Sequence, residues 1–392
     1  MAQTQFITNN AVLLIISHTG HYLNAEGKPS GWIPTVREID FMAGHFKEVI
    51  HLAVLHQGNA PASTTGYEAN NVRFLGVPPF GGAGLLNKLS ILWVMPLVIW
   101  KIRKLLPKVD LFQFRAPTSI GLAVIPFLTV FSRKKGWYKY AGNWTQPNMP
   151  LSYKAQKWML EKWQKRPVTI NGQWPGQPGH VHTFENPCLS AEELPGFKQR
   201  GQQKVWQKPY TACFVGRMED AKGVHRIIEL LKQPGISHTI GTFHFVGDGP
   251  KMEMYKEEMQ NAEVNAVFHG FSSREETFAI YAQSHLFLLP SDSEGFPKVV
   301  AEAAAFGCVP IVSDVSSIGQ YITEREGYLW KLQKNSFSDF VLGLPLPPEV
   351  VAKQAMQCFA LAQKFTFESY LARLRISVLS TGRNLYMKQV IV

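Results

Sequence analysis

The chain has 392 residues, 45% of them hydrophobic and 18% charged, which suits two globular domains and excludes a disordered, collagenous or disulfide-dense chain. Its four cysteines, Cys188, Cys213, Cys308 and Cys358, form no CxxC pair, so a reducing compartment is expected and neither a zinc ribbon nor a disulfide framework is. The net charge of +11 sits in one half: residues 1–185 carry 19 Lys and Arg against 8 Asp and Glu, and residues 186–392 carry 21 of each, so the first half is the one that should meet something acidic.

The first apolar run, Val12 to Ile16, is five residues long without a basic leader and reads as a strand, not a signal peptide. Further strands are expected at 49–54, 72–75, 110–114, 137–140 and 168–171, with helices at 33–44, 85–106, 119–131 and 152–165. Gly81-Gly82-Ala83-Gly84 ahead of Lys88 imitates a phosphate-binding loop but lacks the Gly-Lys-Ser/Thr ending, so it reads as a flexible loop. The apolar stretch from Leu89 to Trp100 is clamped between Lys88 and Lys101 and broken by Pro96; it falls short of the about 20 residues a membrane span needs. A Pro- and Gly-rich connection occupies 172–209. Beyond it, short continuous apolar strands at 212–215, 243–246, 266–268, 286–289 and 309–312 alternate with helices at 224–232, 252–261, 274–284 and 297–306. That alternation predicts an α/β fold of two Rossmann-like domains with parallel sheets, divided at 185/186.

Three segments carry chemistry. In Pro290-Ser291-Asp292-Ser293-Glu294-Gly295-Phe296-Pro297-Lys298 a buried strand ends in an acidic turn, and Pro297 stands where a helix can begin. The start of that helix offers backbone N–H groups and a positive dipole end, an anion site, with Glu294 at its mouth and Glu302 more than a turn inside. In Gly216-Arg217-Met218-Glu219-Asp220-Ala221-Lys222-Gly223 a second strand end is followed by an Arg and a Lys, the pair suited to phosphate. Val246-Gly247-Asp248-Gly249-Pro250 is a tight turn after a third strand. All three lie at the C-terminal ends of parallel strands, where ligands bind in open α/β sheets.

These pieces, in this order, resemble the C-terminal domain of the retaining glycosyltransferases of family 4, which have the GT-B fold. The resemblance covers about 205–335, includes the two glutamates eight positions apart, and extends weakly to Phe365-Thr366-Phe367-Glu368, where the family's last helices begin to cross back, which implies a last helix at 378–392 packing on the first domain. It implies that Arg217 and Lys222 hold the donor diphosphate as it leaves and that Glu302 receives the nucleotide ribose. It further implies that Glu294 contacts the donor sugar, and that the backbone of Gly295, Phe296, Pro297 and Lys298, with Gly216, lines the donor site. No bound metal is implied, and the sequence has no DxD motif. In the first half, Ser30-Gly31-Trp32-Ile33 resembles the family's glycine loop, which assigns Gly31 to the donor. Arg115 stands where many members have a histidine facing the sugar, and Asn143 is a further cleft residue.

The implied function is transfer of a sugar from a nucleotide-sugar, with retention, to a glycan or lipid-linked acceptor of bacterial surface polysaccharide, in the cytoplasm or peripherally on the inner face of the membrane. Two other readings are a GT-B enzyme of the epimerase or synthase type, and a non-catalytic nucleotide-binding member of an assembly complex. The basic half combines cations with aromatics: Lys101, Arg103, Lys104 and Lys108 follow Trp93 and Trp100, and the spacing puts Lys154, Lys157 and Lys165 on one face with Glu161. That mixture suits an anionic membrane surface or a merely solvated face; no nucleic-acid motif accompanies it.

Overall fold

The computed structural model describes residues 9–80, 85–146 and 148–379; the expected loop at 81–84 and nearly all of the expected helix 378–392 lie outside them. The first half forms strands β1 (Val12–Leu23), β2 (Pro29–Trp32), β3 (Glu48–Leu55), β4 (Thr64–Gly66), β5 (Val72–Val77), β6 (Leu111–Ala116), β7 (Lys135–Tyr140), β8 (Val168–Ile170) and β9 (Val181–Thr183). Helices α1 (Ile33–Ala43), α2 (Leu85–Leu105), α3 (Gly121–Phe131) and α4 (Leu151–Trp158) alternate with them, and α4 runs into a π-helical turn at Met159–Trp163. Strands β5, β3, β1, β6, β7, β8 and β9 pair in that order, all parallel. β2 folds back antiparallel on β1, and β4 pairs antiparallel with β2.

β1 runs well past Ile16, across an irregularity before Gly20. Its extension is polar, which hides it from a search for apolar runs, and it is held by buried hydrogen bonds. Ser17 Oγ meets His51 Nε2 at 2.8 Å, and Tyr67 Oη lies 2.8 Å from His21 Nε2 and 2.6 Å from His51 Nδ1. Burial pulls the His21 imidazole down to about 4 and His51 well below its ordinary value, so both stay neutral. Gly31 on β2 faces this cluster, and a Cβ there would sit 2.3 Å from His21 Nε2. Gly31→Ala is therefore expected to cost roughly 1–3 kcal/mol, read as a lower urea midpoint; an unchanged midpoint would show that His21 has room to yield.

The second sheet contains β10 (Tyr210–Val215), β11 (Ile240–Val246), β12 (Asn265–Gly270), β13 (Leu286–Leu289), β14 (Val309–Ser313) and β15 (Tyr328–Trp330), in the order β12-β11-β10-β13-β14-β15, all parallel. Around it lie α5 (Leu194–Gln202), α6 (Val224–Leu231), α7 (Met252–Glu258), α8 (Arg274–Gln283), α9 (Lys298–Ala305), α10 (Phe337–Leu342) and α11 (Pro348–Ala362). The last described α-helix, α12 (Phe367–Leu374), which runs into a π-helical turn at Arg375–Leu379, leaves this domain: Tyr370, Leu371 and Leu374 join the core beneath α1, on one face of the first sheet. The return to the first domain thus begins at Phe367, ahead of the expected 378. Helices α2, α3 and the turn after α4 cover the other face through Val94, Val98, Val124 and Leu160.

In both sheets the order of strand addition reverses once, between β1 and β6 and between β10 and β13, and these switch points are where a parallel sheet leaves a crevice for a ligand. The domains touch there. The space a side chain on Gly295 would need is bounded by Asn171 Nδ2 at 3.3 Å and the Ala141 carbonyl at 3.4 Å. Gln173 and Gln320 exchange two hydrogen bonds across the same seam, 2.7 and 3.0 Å.

Candidate functional site

The three motifs of the second domain are stitched into one surface. The turn after β13 is pinned by Arg226, which donates to the Pro290 carbonyl at 2.8 Å and pairs with Asp292 at 2.7 Å, while the Asp292 amide donates to the Ala221 carbonyl at 3.0 Å. Gly223 allows this approach: its φ is +76°, and a Cβ would strike the Pro290 carbonyl oxygen at 1.9 Å. The loop after β10 is held to the loop after β11 by the Met218 amide on the Asp248 carbonyl, 3.0 Å, and by an Asp220–Lys251 ion pair. A side chain at Gly247 would strike the Gly216 carbonyl, so the Gly247-Asp248-Gly249 turn serves as a backing for the Gly216–Arg217 loop.

Lys222 and Glu294 meet as a result, Nζ to Oε1 at 2.6 Å, with the Glu294 side chain 10% exposed. Arg217 stands further out, 67% exposed, with Nε 3.2 Å from Glu219. α9 starts at Lys298, one residue later than the sequence suggests, because Pro297 keeps extended backbone and acts as the cap. The Phe296 ring is core: it stacks on Phe365 at 4.4 Å and meets Tyr321 edge-on at 4.9 Å, so only its backbone is available to a ligand.

A cavity of about 220 Å³ opens between the domains. Lys298, Glu302 and Val215 line it from the second domain, together with Phe271, Arg274 and Thr277 around the start of α8. Trp32, Ile33, Pro34 and Arg37 close it from the start of α1, and Phe367 from α12. Burial pushes the Glu302 carboxyl up, opposed by Lys298, Arg274 and Arg37. Glu193 grips Arg274 at 2.6 and 2.7 Å and lies 3.8 Å from Arg37, which fixes two of those cations in place. The cavity combines apolar walls, one desolvated carboxylate and three cations, a set suited to a flat ring carrying hydroxyls and an anionic tail.

Sequence reasoning named Lys298 and Glu302 but missed Arg37, Arg274 and Phe271. Arg274 opens α8 behind a Ser273–Glu276 capping box, a signal legible as a helix start but not as a site. Arg37 lies one turn into α1, and only the closing of the domains brings it to Glu302.

The remaining first-domain residues stand beside the cavity, not in its walls. β6 extends through Ala116, so Arg115 is a strand residue; its guanidinium donates to Glu38 at 3.0 Å and to Gln113 at 2.8 Å. Glu38 also takes Lys139 Nζ at 2.6 and 2.7 Å. Its buried carboxyl is pulled down to about 2, because Arg115 and Lys139 outweigh the burial that pushes it up. Lys298 across the cleft adds to that pull, so this ionic cluster sits next to the site. Asn143 closes its own turn, accepting from the Thr145 amide at 3.0 Å, two residues from the Ala141 carbonyl that abuts Gly295. Gly31 lies under His21 and positions the adjoining Trp32 and Ile33.

Residues 197–339 match the family described as Glycosyl transferases group 1. A stretch of 92 residues is 38% identical to alpha-galactosylglucosyldiacylglycerol synthase of Streptococcus pneumoniae, covering 23% of this chain and 25% of that one. A stretch of 133 residues is 27% identical to an uncharacterized 41.2 kDa protein in the cps region of Klebsiella pneumoniae, covering 34% and 36%. The match thus spans about a third or less of these relatives' own length. The structure superposes on Anabaena Alr3699/HepE in complex with UDP and glucose with a TM-score of 0.66 over 95% of this chain and all of that one, at 14% identity. Likeness at that identity concerns the fold, which is GT-B: two parallel-sheet domains facing across a cleft.

Proposed function

We propose that this protein is a retaining glycosyltransferase that moves a sugar from a nucleotide-sugar to a glycan or lipid-linked acceptor in bacterial surface polysaccharide synthesis. The observation that carries the reading is the Lys222–Glu294 pair beside the Glu302 cavity, both at the switch point of the second sheet and facing the first domain. The nucleoside occupies the cavity with its ribose on Glu302, and the diphosphate lies toward Lys222, Arg217 and the start of α9. When the diphosphate arrives, Lys222 exchanges Glu294 for a phosphate oxygen, and the freed carboxylate accepts hydrogen bonds from the sugar. The bond between the anomeric carbon and the diphosphate breaks. The acceptor hydroxyl adds to the same face, and its proton passes to the departing phosphate oxygen. Negative charge grows on the diphosphate as this happens, so fixed cations stabilise the transition state more than the ground state, without a bound metal.

Support comes from the family match over 197–339 and from a structural neighbour held with UDP and glucose. The buried, unpaired cysteines suit the reducing cytoplasm. The test is thermal unfolding with UDP, GDP, ADP and dTDP. One of them, at about 100 times its Kd, should add about 2.7 kcal/mol of stability to the wild type. That gain should shrink in Arg217→Ala and in Glu302→Ala. Stabilisation by none of the four would remove the nucleotide reading. Product analysis with donor alone separates transfer from the epimerase reading, which predicts sugar turnover without an acceptor.

A further inference from the structure

Helices α2, α3 and α4 turn outward a surface that the transfer chemistry does not use. On α2, Val94, Val98, Ile102 and Leu105 face the sheet, so Trp93, Trp100, Arg103 and Lys104 stand on the opposite side. Trp93 is 84% exposed. α3 ends in exposed Val130 and Phe131, followed by Arg133 and Lys135. On α4 and its π-helical turn, Leu151, Lys154, Trp158 and Lys162 form an exposed stripe. The structure thereby corrects the face expected for Lys157, which turns inward: its Nζ donates to the Trp144 carbonyl at 2.8 Å and lies 4.9 Å from the ring of the same residue. α3 packs against both α2 and α4, so the three helices present one continuous surface.

Two properties coincide on it. Large apolar side chains are exposed on adjoining helices, which single surface residues do not explain. The segment 85–166 that builds it also exposes Arg103, Lys104, Lys108, Arg133, Lys135, Lys154, Lys162 and Lys165, and holds only 2 acidic residues. One of those two, Glu161, is already engaged by Lys162 at 3.5 Å. A second copy of this chain would set like charge against like charge. A lipid surface bearing negative headgroups satisfies both properties, since aromatic rings settle at headgroup level while lysines and arginines reach the phosphates. No helix among the described residues is long and apolar enough to cross a membrane, so the face would lie on the lipid.

We propose that the α2–α3–α4 face seats this protein on an anionic membrane surface, an inference that goes beyond sugar transfer and does not depend on it. The test is co-sedimentation of the full chain with vesicles of phosphatidylcholine, with and without about a third phosphatidylglycerol, at physiological salt. The wild type should pellet with the anionic vesicles and not with the neutral ones, and should be released as salt rises. Arg103→Glu, Lys104→Glu and Lys154→Glu together should weaken binding on the order of a hundredfold. Trp93→Ala with Trp158→Ala should weaken it at unchanged charge. All five side chains are exposed, so the urea midpoint should stay at the wild-type value in both variants and certify their fold. Equal pelleting with neutral and anionic vesicles, no pelleting, or charge-reversed protein that binds like wild type would overturn the proposal. So would a dimer in sedimentation velocity that Trp158→Glu dissolves, which would make this face a self-association surface.

Discussion

Lys222→Ala is expected to lower kcat at least a hundredfold, about 2.7 kcal/mol of barrier, with a smaller change in KM. The reason lies in its present partner. Lys222 Nζ sits 2.6 Å from Glu294, which is mostly buried, so neither group is idle before substrate arrives. Binding of the diphosphate must exchange one anion for another at the same ammonium. Charge grows on the diphosphate only as the glycosidic bond breaks, so the interaction is strongest at the transition state and its loss falls on turnover. Glu294→Gln should cost at least tenfold, about 1.4 kcal/mol, because it keeps the shape but weakens acceptance from the sugar hydroxyls. The double variant decides whether the two act as a unit: a loss close to that of Lys222→Ala alone is expected, and strict multiplication of the single losses would show that they act separately. Full activity in either single variant would remove that residue from the mechanism.

Glu38→Ala is expected to destabilise the first domain by roughly 3–5 kcal/mol. Glu38 is the single carboxylate shared by Lys139, at 2.6 and 2.7 Å, and Arg115, at 3.0 Å, and the Lys139 and Arg115 side chains are only 6% and 11% exposed. Removing it leaves Arg115 without its carboxylate and takes from Lys139, which burial already pulls down to about 7, the partner that holds it charged, with Lys298 near by. The pH dependence has a definite sign. The Glu38 carboxyl is depressed from its ordinary 4.5 to about 2. Its stabilising effect is therefore complete above about 4.5 and is lost as pH falls toward 2. Urea unfolding should show a wide gap between wild type and Glu38→Ala at pH 7 that narrows steadily below pH 4.5. A gap that stays constant down to pH 2 would mean that packing, not charge, is what Glu38 supplies. Since Arg115 is held by Glu38 and Gln113, its own truncation should disturb the donor site only indirectly.

Much of this protein was legible from residues alone, and the reason is locality. Strand ends followed by Gly, Arg and Lys, or by an acidic turn and a Pro, record what the backbone does within a few residues. Hence the places of Arg217, Lys222, Glu294, Glu302 and Lys298 along the second sheet, and the sheet's parallel strands, follow from the chain. Alternating apolar runs likewise announce two α/β halves, and the lopsided charge sets the first of them apart as the basic one. Elements that are short, polar or at a sheet edge escaped: β2, β4, β9 and the end of β1 carry no apolar run, and β15 is only three residues long at the edge of its sheet.

Tertiary structure alone decided which groups meet. Lys222 and Glu294 are 72 positions apart, and nothing local says that one neutralises the other until Gly223 lets the two loops touch. Arg37 reaches the Glu302 cavity only because α1 and α9 are brought together by two separate domains. Arg115 reads as a residue facing the donor sugar, yet a carboxylate 77 positions away fixes it inside an ionic cluster. Periodicity also misplaced Lys157, whose ammonium finds the Trp144 carbonyl in place of solvent. The chain sets which chemistry each segment can offer, because backbone geometry and hydrophobic period act over a few residues. Which of those offers are taken up is set by long-range packing, since charge pairing and burial depend on distance in space and not along the chain.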